Sequence, residues 1–404
     1  MKLLQINATA NWGSTGRIAE QIGLKAMEHG WESYIAYGRK SNSSKSNLIR
    51  VGSKLNPYMH FAQQFLFDSE GLNSIYPTRQ LVKKIKTLNP DIIHLHNIHD
   101  HWLNYKILFE YLNTTNTPII WTQHDCWAFT GGCMHFSSLN CSKWKIECHN
   151  CPRSKKSIDN SIQQFNLRKH LFTANKNLIL VPVSKWLENE IKQSFLKDTK
   201  ISIILNGVDI DTFKPLQETN VRNKYNIGNK FILMGLATAW SIQKGFKDYI
   251  ELSKYIGDDE VIVLVGLKKE QIKKLPSNVI GIERTSNIQE LVELYSTADI
   301  ILNLSYQETF GLTSAEGFAC GTPGVVYNKT ASPELIEGEV GFVVEAGNIK
   351  QLLEAINTIK NKGKNHYSTY CRQRAIDYYD KEKCFEKYIK LYEECLKKAL
   401  CNLP

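Results

Sequence analysis

The feature that most constrains the fold is a repeated alternation of a short apolar segment, a loop and an amphipathic segment. Short runs rich in Val, Ile and Leu predict buried strands, and apolar positions three and four apart predict helices. Strands that alternate with helices are typical of a parallel sheet that is covered by helices on both faces. We therefore predict an α/β fold.

The alternation runs twice along the chain. The first run extends from a predicted strand at Lys2–Asn7 to one at Ile201–Leu205, and the second begins at Phe231–Leu236. A chain of 404 residues is long enough for two domains that each bury a core. We predict two Rossmann-like domains, residues 1–210 and 211–380, that face each other across a central cleft. A terminal helix, residues 381–404, is expected to cross back to the first domain.

Positive charge is concentrated in the first part of the chain. Residues 1–170 carry 20 Lys and Arg against 11 Asp and Glu, whereas the remainder carries 30 against 29. A basic half can bind nucleic acid, an anionic membrane surface or a phosphorylated substrate. The equal alternative is that the charges form a solvated surface without a partner.

An aromatic stretch in this half either inserts into a membrane interface or packs in the core. The stretch comprises Tyr58, Met59, His60, Phe61, Phe65 and Phe67.

No apolar run is long enough to predict a transmembrane helix, and the run after Met1 is too short for a signal peptide. The sequence therefore predicts a cytoplasmic protein, either free or at the inner face of a membrane.

The segment from Glu308 to Glu316 carries the strongest functional signal. A predicted strand at Ile300–Leu304 precedes it, and a helix begins inside it. Ligands of open α/β sheets lie beyond the carboxyl ends of the strands, and a helix N-terminus offers free N–H groups to a phosphate. Two carboxylates at these places can accept hydrogen bonds from two sugar rings. The alternative is that both glutamates are surface charges.

Several motifs together resemble the retaining glycosyltransferases of family four, over nearly the whole chain. The resemblance implies a GT-B fold, in which two Rossmann-like domains form the cleft. The motifs are Phe310-Gly311-Leu312 between the glutamates, Ala319–Pro323, Tyr295–Asp299, Ala331–Glu334, Asn206–Asp209 and Gly13–Arg17.

The resemblance also implies roles in binding a donor, which is a UDP- or GDP-sugar. Glu308 would contact hydroxyls of the donor sugar, and Glu316 would hold the ribose hydroxyls. Phe310 belongs to the same donor-binding segment. The backbone N–H groups of Gly311, Leu312 and Thr313 would face the diphosphate or the sugar.

Lys244 follows the strand at Phe231–Leu236 and can neutralise a leaving diphosphate. In most of the family an arginine stands five residues earlier, where this chain has Ala239. Either Lys244 acts alone or Arg284 contributes from a later loop. With no Asp-x-Asp pair at a strand end, no metal is expected at the diphosphate.

Two further groups are predicted in the first domain. The resemblance implies that His124, after the strand at Ile119–Thr122, would stabilise positive charge at the anomeric carbon through its backbone carbonyl or its ring. His96 and Asp125 are predicted acceptor-binding residues beside it. The cluster of His94, His96, His99 and His101 favours core or cleft-lining roles over metal, and Asp100 is expected to orient one ring.

The predicted loop Asn11–Gly16 opens a helix. Its glycines, Gly13 and Gly16, permit close approach to the donor diphosphate, and Arg17 could meet an acceptor phosphate. A simple turn is the alternative.

Five of the ten cysteines lie between Cys126 and Cys151. Four thiolates in one loop match a structural tetrahedral zinc site, and free thiols or a labile disulfide are the alternatives. The predicted ligands are Cys133, Cys141, Cys148 and Cys151, in the Cys-rich loop 126–152. No cofactor is expected for catalysis itself.

The sequence predicts a retaining, metal-independent hexosyltransferase that assembles cell-surface polysaccharide such as capsule, O-antigen or exopolysaccharide. Its acceptor would be a saccharide or a polyprenyl-linked saccharide. We expect the protein to contact an anionic membrane peripherally and to bind no nucleic acid. A phosphorylase-like or non-catalytic protein of the same fold is the alternative. An oxidoreductase is disfavoured because the loop after the first strand lacks Gly-x-Gly-x-x-Gly spacing.

Overall fold

The computed structural model describes residues 1–152 and 159–401, with side chains to residue 398. It divides into two compact units, residues 1–204 with 385–404, and residues 205–384. None of the described helices is both long and apolar enough to cross a bilayer.

The first unit contains a seven-stranded parallel sheet in the order β3-β2-β1-β4-β5-β6-β7. Its strands are β1 (Lys2–Ile6), β2 (Glu32–Tyr37), β3 (Asn47–Arg50), β4 (Ile92–Leu95), β5 (Ile119–Gln123), β6 (Leu178–Pro182) and β7 (Lys200–Ile201). Its helices are α1 (Gly13–Glu28), α2 (Asn56–Phe67), α3 (Ile75–Leu88), α4 (Tyr105–Leu112), α5 (Ser161–Thr173) and α6 (Lys185–Lys192).

The second unit contains a six-stranded parallel sheet in the order β10-β9-β8-β11-β12-β13. Its strands are β8 (Phe231–Leu236), β9 (Glu260–Val265), β10 (Val279–Ile282), β11 (Ile300–Asn303), β12 (Gly324–Tyr327) and β13 (Gly341–Val344). Its helices are α7 (Val221–Lys224), α8 (Phe246–Leu252), α9 (Lys269–Ile272), α10 (Ile288–Thr297), α11 (Leu312–Ala319), α12 (Ile349–Lys362) and α13 (Lys364–Arg374).

The strand order identifies where each sheet can bind a ligand. Counted within its own unit, the second sheet runs 3-2-1-4-5-6, which is the doubly wound Rossmann order, and the first sheet adds one strand to it. The order reverses between β1 and β4 in one sheet and between β8 and β11 in the other. The predicted α/β fold with two Rossmann-like domains is confirmed.

Burial explains why these segments form the centres of the sheets. Every residue of β5, β6 and β9 is buried, as expected for strands with helices on both faces. Each large apolar side chain removed from water contributes roughly 1.5–3 kcal/mol to folding. The edge strand β13, which has a neighbouring strand on one side only, has one buried residue in four.

Two predicted boundaries are wrong. The strand predicted at Ile201–Leu205 is reduced to the two-residue β7. The loop predicted at Asn11–Gly16 ends earlier, because α1 begins at Gly13 with Trp12 as its N-cap.

The last helix, α14 (Lys381–Cys401), begins in the second unit, and its residues from Phe385 group with the first. There Tyr392 donates to or accepts from His94 Nδ1 at 2.6 Å, and Tyr388 and Thr122 share a hydrogen bond of 2.9 Å. These buried contacts tie the end of the chain to β4 and β5.

Candidate functional site

In the second unit, an ion pair joins the two loops at the point where the strand order reverses. Lys244 lies in the loop after β8, and Glu308 lies in the loop after β11. Lys244 Nζ is 2.7 Å from Glu308 Oε2. The two side chains are 36% and 19% exposed, so a ligand can reach both charges. The structure thus brings together two of the three predicted catalytic residues.

A glycine permits this approach of the two loops. Gly245 has a φ of +72°, and a Cβ there would collide with the carbonyl oxygen of Leu304. The backbone N–H of Tyr306 donates to the carbonyl of Gln243 at 2.9 Å, which joins the same loops again. Lys244 is therefore held by backbone geometry next to the loop of Glu308.

The backbone of Glu308 is fixed from the other side by Thr330. Glu308 N donates to Thr330 Oγ1 at 2.8 Å, and that hydroxyl donates to Glu308 O at 2.7 Å. Ala331 N donates to the same carbonyl at 3.1 Å. These three bonds position the residue from which the carboxylate projects.

The predicted anion-binding segment forms the start of α11. Gly311 is its N-cap with a φ of +99°, and Leu312 and Thr313 are its first two residues. The first N–H groups of a helix have no carbonyl partner within it and lie at the positive end of its dipole. Phe310 is buried against Tyr379, with ring centroids 5.6 Å apart. The segment can therefore present N–H groups to an anion.

Glu316 lies in the second turn of α11 and is half-buried. Tyr295, fully buried in α10, donates its hydroxyl to Glu316 Oε2 at 2.8 Å. Sequence reasoning named Tyr295 within a motif and missed this contact. A buried tyrosine hydroxyl needs a partner, and that requirement is the signal that could have led to it.

Arg284 follows β10, and strand β9 separates β10 from β8. Its side chain is exposed, and its role in binding the donor substrate stays a prediction.

Beside Ala239, Trp240 donates its indole N–H to the carbonyl of Val265 at 2.9 Å. Its ring packs on Tyr249, with ring centroids 5.1 Å apart. This tryptophan anchors the loop that carries Lys244.

In the first unit, a chain of hydrogen bonds leads from β1 to His124. Gln5 Oε1 and His96 Nε2 are 3.0 Å apart, and His96 Nδ1 and His124 Nε2 are 3.1 Å apart. Burial lowers the pKa of His96 well below its ordinary value and lowers that of His124 to about 4. Both rings are therefore neutral near pH 7.

His96 has both ring nitrogens engaged and is buried, so the structure gives it a positioning contact to His124. His94 is likewise buried, between Tyr392 and Thr122. The core role expected for this cluster agrees with the burial of His94 and His96, and the cleft-lining role stays a prediction. The acceptor contact of His96 stays a prediction.

Asp125 pairs with His99, whose Nε2 lies 2.9 Å from Oδ2, while Oδ1 accepts from Trp127 N at 2.8 Å. Burial disfavours the charged form of both groups, but the attraction and hydrogen bond between them are stronger than this effect. The pKa of His99 is therefore raised and the pKa of Asp125 is lowered. Asp100 instead binds Arg39, so the expectation that Asp100 orients one of these rings is wrong.

Gly16 and Arg17 lie in the first turns of α1. A Cβ on Gly16 would lie 2.6 Å from Thr9 Oγ1, so this position requires glycine for close packing. A Cβ on Gly13 would meet nothing within 4 Å. Arg17 is exposed, with Nε 3.2 Å from the carbonyl of Gly13. Their donor and acceptor roles stay predictions.

The four predicted zinc ligands line one cavity of about 30 Å³. Gly131 N donates to Cys148 Sγ at 3.2 Å. Across residues 1–152 and 159–401, however, no three His, Cys, Asp or Glu side chains are already arranged to hold a metal ion. The shared cavity supports the zinc prediction, and the arrangement of the thiols counts against it.

Comparison with known proteins identifies the class. The model described as Glycosyltransferase Family 4 matches residues 17–212, and the one described as Glycosyl transferases group 1 matches residues 217–377. The chain therefore belongs to the family-four glycosyltransferases.

Particular relatives are distant, and they match between half and nearly all of the chain. A glycosyl transferase assigned to colanic acid biosynthesis in Escherichia coli K12, WcaC, is 21% identical over 97% of this chain and 100% of its own. An N,N'-diacetylbacillosaminyl-diphospho-undecaprenol alpha-1,3-N-acetylgalactosaminyltransferase of Campylobacter jejuni is 28% identical over 50% of this chain and 56% of its own. The structure of Anabaena HepE in complex with UDP-glucose covers 100% of both chains at 15% identity, with a TM-score of 0.66.

Proposed function

We propose that this glycosyltransferase moves a hexose from a nucleoside diphosphate sugar to a saccharide or lipid-linked saccharide, with retention at the anomeric carbon. The observation that carries the proposal is the ion pair of Lys244 and Glu308 beside the N-terminus of α11. A cation, a set of free N–H groups and a carboxylate at one sheet edge match a diphosphate joined to a sugar.

In the proposed reaction, the bond between the anomeric carbon and the diphosphate oxygen breaks, and the acceptor oxygen bonds to that carbon on the same face. The acceptor proton passes to the leaving phosphate. Lys244 and the N–H groups of Gly311, Leu312 and Thr313 stabilise the charge that develops on the diphosphate. Glu308 accepts hydrogen bonds from sugar hydroxyls, and Glu316, oriented by Tyr295, binds the ribose.

In the first unit, His124 is neutral and is oriented by His96. It therefore adds no positive charge of its own, and its backbone carbonyl or ring nitrogen can face the developing charge of the sugar. Gly13 and Gly16 would serve the donor diphosphate and Arg17 an acceptor phosphate.

The names of the relatives support the substrate class. One is named for colanic acid biosynthesis, one is named for transfer to a diphospho-undecaprenol saccharide, and one has UDP-glucose bound. We therefore favour UDP-sugars as donors, with GDP-sugars as the other choice, and cell-surface polysaccharide assembly as the process.

The test is to incubate the protein with a panel of UDP- and GDP-sugars and with diphospho-undecaprenol saccharides. We expect release of one nucleoside diphosphate that depends on both substrates, and a product that NMR shows to keep the donor's anomeric configuration. An inverted product would refute retention, and the absence of release with every donor would refute the proposed donor class.

A further inference from the structure

Helix α2 has its polarity reversed relative to a helix that packs on a protein core. Such helices normally bury their apolar side and expose their polar side. The residues of α2 that face the protein are Asn56, His60 and Gln64, which are spaced four apart and therefore share one face. The large apolar residues of the helix are exposed.

The inward face is held by polar contacts. Asn56 Nδ2 and His60 Nδ1 each lie 2.8 Å from Ser74 Oγ, and Gln64 Oε1 lies 2.6 Å from His101 Nδ1. At the helix end, Asn160 Nδ2 donates to the carbonyl of Phe67 at 3.0 Å. The helix is thus fixed in this orientation, and its apolar side stays outward.

The outward face forms a continuous apolar surface with the start of α3. Tyr58 is 75% exposed and Phe65 is 64% exposed. Phe61 and Phe65 stack with centroids 6.5 Å apart. We call this surface the α2 face. It consists of Leu55, Tyr58, Met59, Phe61, Phe65, Leu66, Phe67, Ile75 and Tyr76, all at least half exposed.

Positive charge borders the α2 face. The helix itself has no charged residue, while residues 39–86 carry nine Lys and Arg against two Asp and Glu. On α3, Arg79 follows the exposed Tyr76 by three residues and Lys83 follows Arg79 by four, so a basic stripe continues from the apolar surface.

We propose that the α2 face docks on an anionic lipid bilayer. Aromatic and aliphatic side chains enter the boundary between head groups and acyl chains, and the basic stripe meets acidic head groups. A second copy of this chain would bring two basic borders together, and their repulsion opposes that occupant. The core-packing alternative for the aromatic stretch is wrong for its exposed members and holds only for His60, which is buried. The exposed members are Tyr58, Met59, Phe61, Phe65 and Phe67.

The test is flotation of the full chain with vesicles, with neither donor nor acceptor present, so that its outcome is independent of sugar transfer. Vesicles of equal parts phosphatidylglycerol and phosphatidylcholine are compared with phosphatidylcholine alone. We expect binding to the anionic vesicles that weakens as salt rises. The double variant Phe65→Gln/Leu66→Gln should lose about tenfold or more of this binding.

Matched controls separate the face from general surface properties. Ile146→Gln removes an apolar side chain that is 86% exposed elsewhere in the first unit and should leave binding unchanged. Lys83→Gln/Lys84→Gln should weaken binding, whereas Lys273→Gln/Lys274→Gln, an exposed pair in the second unit, should not.

Two results would overturn the proposal. One is equal flotation of the Phe65/Leu66 variant and the unchanged chain, with circular dichroism showing both folded. The other is a dimer in analytical ultracentrifugation that the same variant dissociates, because the face would then be covered by a second copy.

Discussion

Lys244 Nζ and Glu308 Oε2 lie 2.7 Å apart, between loops that leave the two central strands of the second sheet. The pair is separated by 64 residues in the chain, so it exists only because β8 and β11 are neighbours. In the proposed reaction, an arriving diphosphate would compete with Glu308 for Lys244, and the sugar would then supply hydroxyl donors to the released carboxylate. The pair would thus keep both charges in place until a donor binds.

Removal of either charge should abolish most transfer without unfolding the protein. For Lys244→Ala and for Glu308→Gln we expect kcat/KM to fall roughly 10²- to 10³-fold. The first variant loses charge stabilisation at the leaving group, and the second loses the carboxylate that accepts hydrogen bonds from the sugar hydroxyls. The melting temperature should change little, since a solvent-accessible ion pair contributes about 0–1 kcal/mol. Lys247→Ala, an exposed lysine on α8, is the control. Near-normal transfer in both variants would contradict the site assignment.

The hydroxyl of Tyr295 should matter for donor binding more than for turnover. Tyr295→Phe removes the hydrogen bond that orients Glu316, and we expect the KM for donor to rise roughly tenfold with little change in kcat. Tyr255→Phe breaks a similar bond from Tyr255 to Glu251 at the surface and should change neither constant. A fall in kcat at constant KM would contradict a positioning role.

Much of the site could be predicted from the sequence because its residues follow strand ends. Lys244 and Glu308 were each predicted after a strand of the second domain, and ligands of open α/β sheets lie beyond the carboxyl ends of the strands. That β8 and β11 are neighbours is shown by the structure. Contacts between residues far apart in sequence could not be predicted in this way. His94 meets Tyr392 across 298 residues, and no local pattern specifies that pair.

The α2 face shows a second limit of sequence reasoning. A stretch rich in Phe, Tyr and Met is compatible with either core or surface, since its hydrophobic pattern is the same in both. The difference is made by three polar positions, Asn56, His60 and Gln64, which find partners in Ser74 and His101. Only the folded structure shows that these partners exist.

The proposed zinc site can be checked by metal analysis. Burial, with Cys141 and Cys151 nearby, raises the pKa of the Cys148 thiol to about 11, so without a metal it stays protonated at neutral pH. We expect about one zinc per chain, bound as thiolates, and its loss in Cys148→Ser. Cys320→Ser, at a buried cysteine of the second unit, is the control. Protein grown with added zinc that contains none, and is not destabilised by Cys148→Ser, would contradict the proposal.

Acid should destabilise the first unit from pH 6.5 downward. Burial lowers the pKa of His60 and His124 to about 4, and it lowers the pKa of His94 and His96 well below the ordinary value of 6.5. Between these values the unfolded chain binds protons that the folded chain does not, so stability falls as pH falls, by about 1.4 kcal/mol per pH unit for each histidine. His99, whose pKa is raised, and Asp125, whose pKa is lowered, keep their charges throughout this window.

The measurement is urea unfolding at several pH values between 4.5 and 7, each about half a unit apart. Tryptophan fluorescence reports mainly on the first unit, which contains seven of the eight tryptophans. His60→Gln removes one of these titrations, so the dependence of the unfolding free energy on pH should become shallower by about 1.4 kcal/mol per unit. If the unfolding free energy of this variant depends on pH as steeply as that of the unchanged chain, His60 is protonated as readily in the folded protein as in the unfolded one.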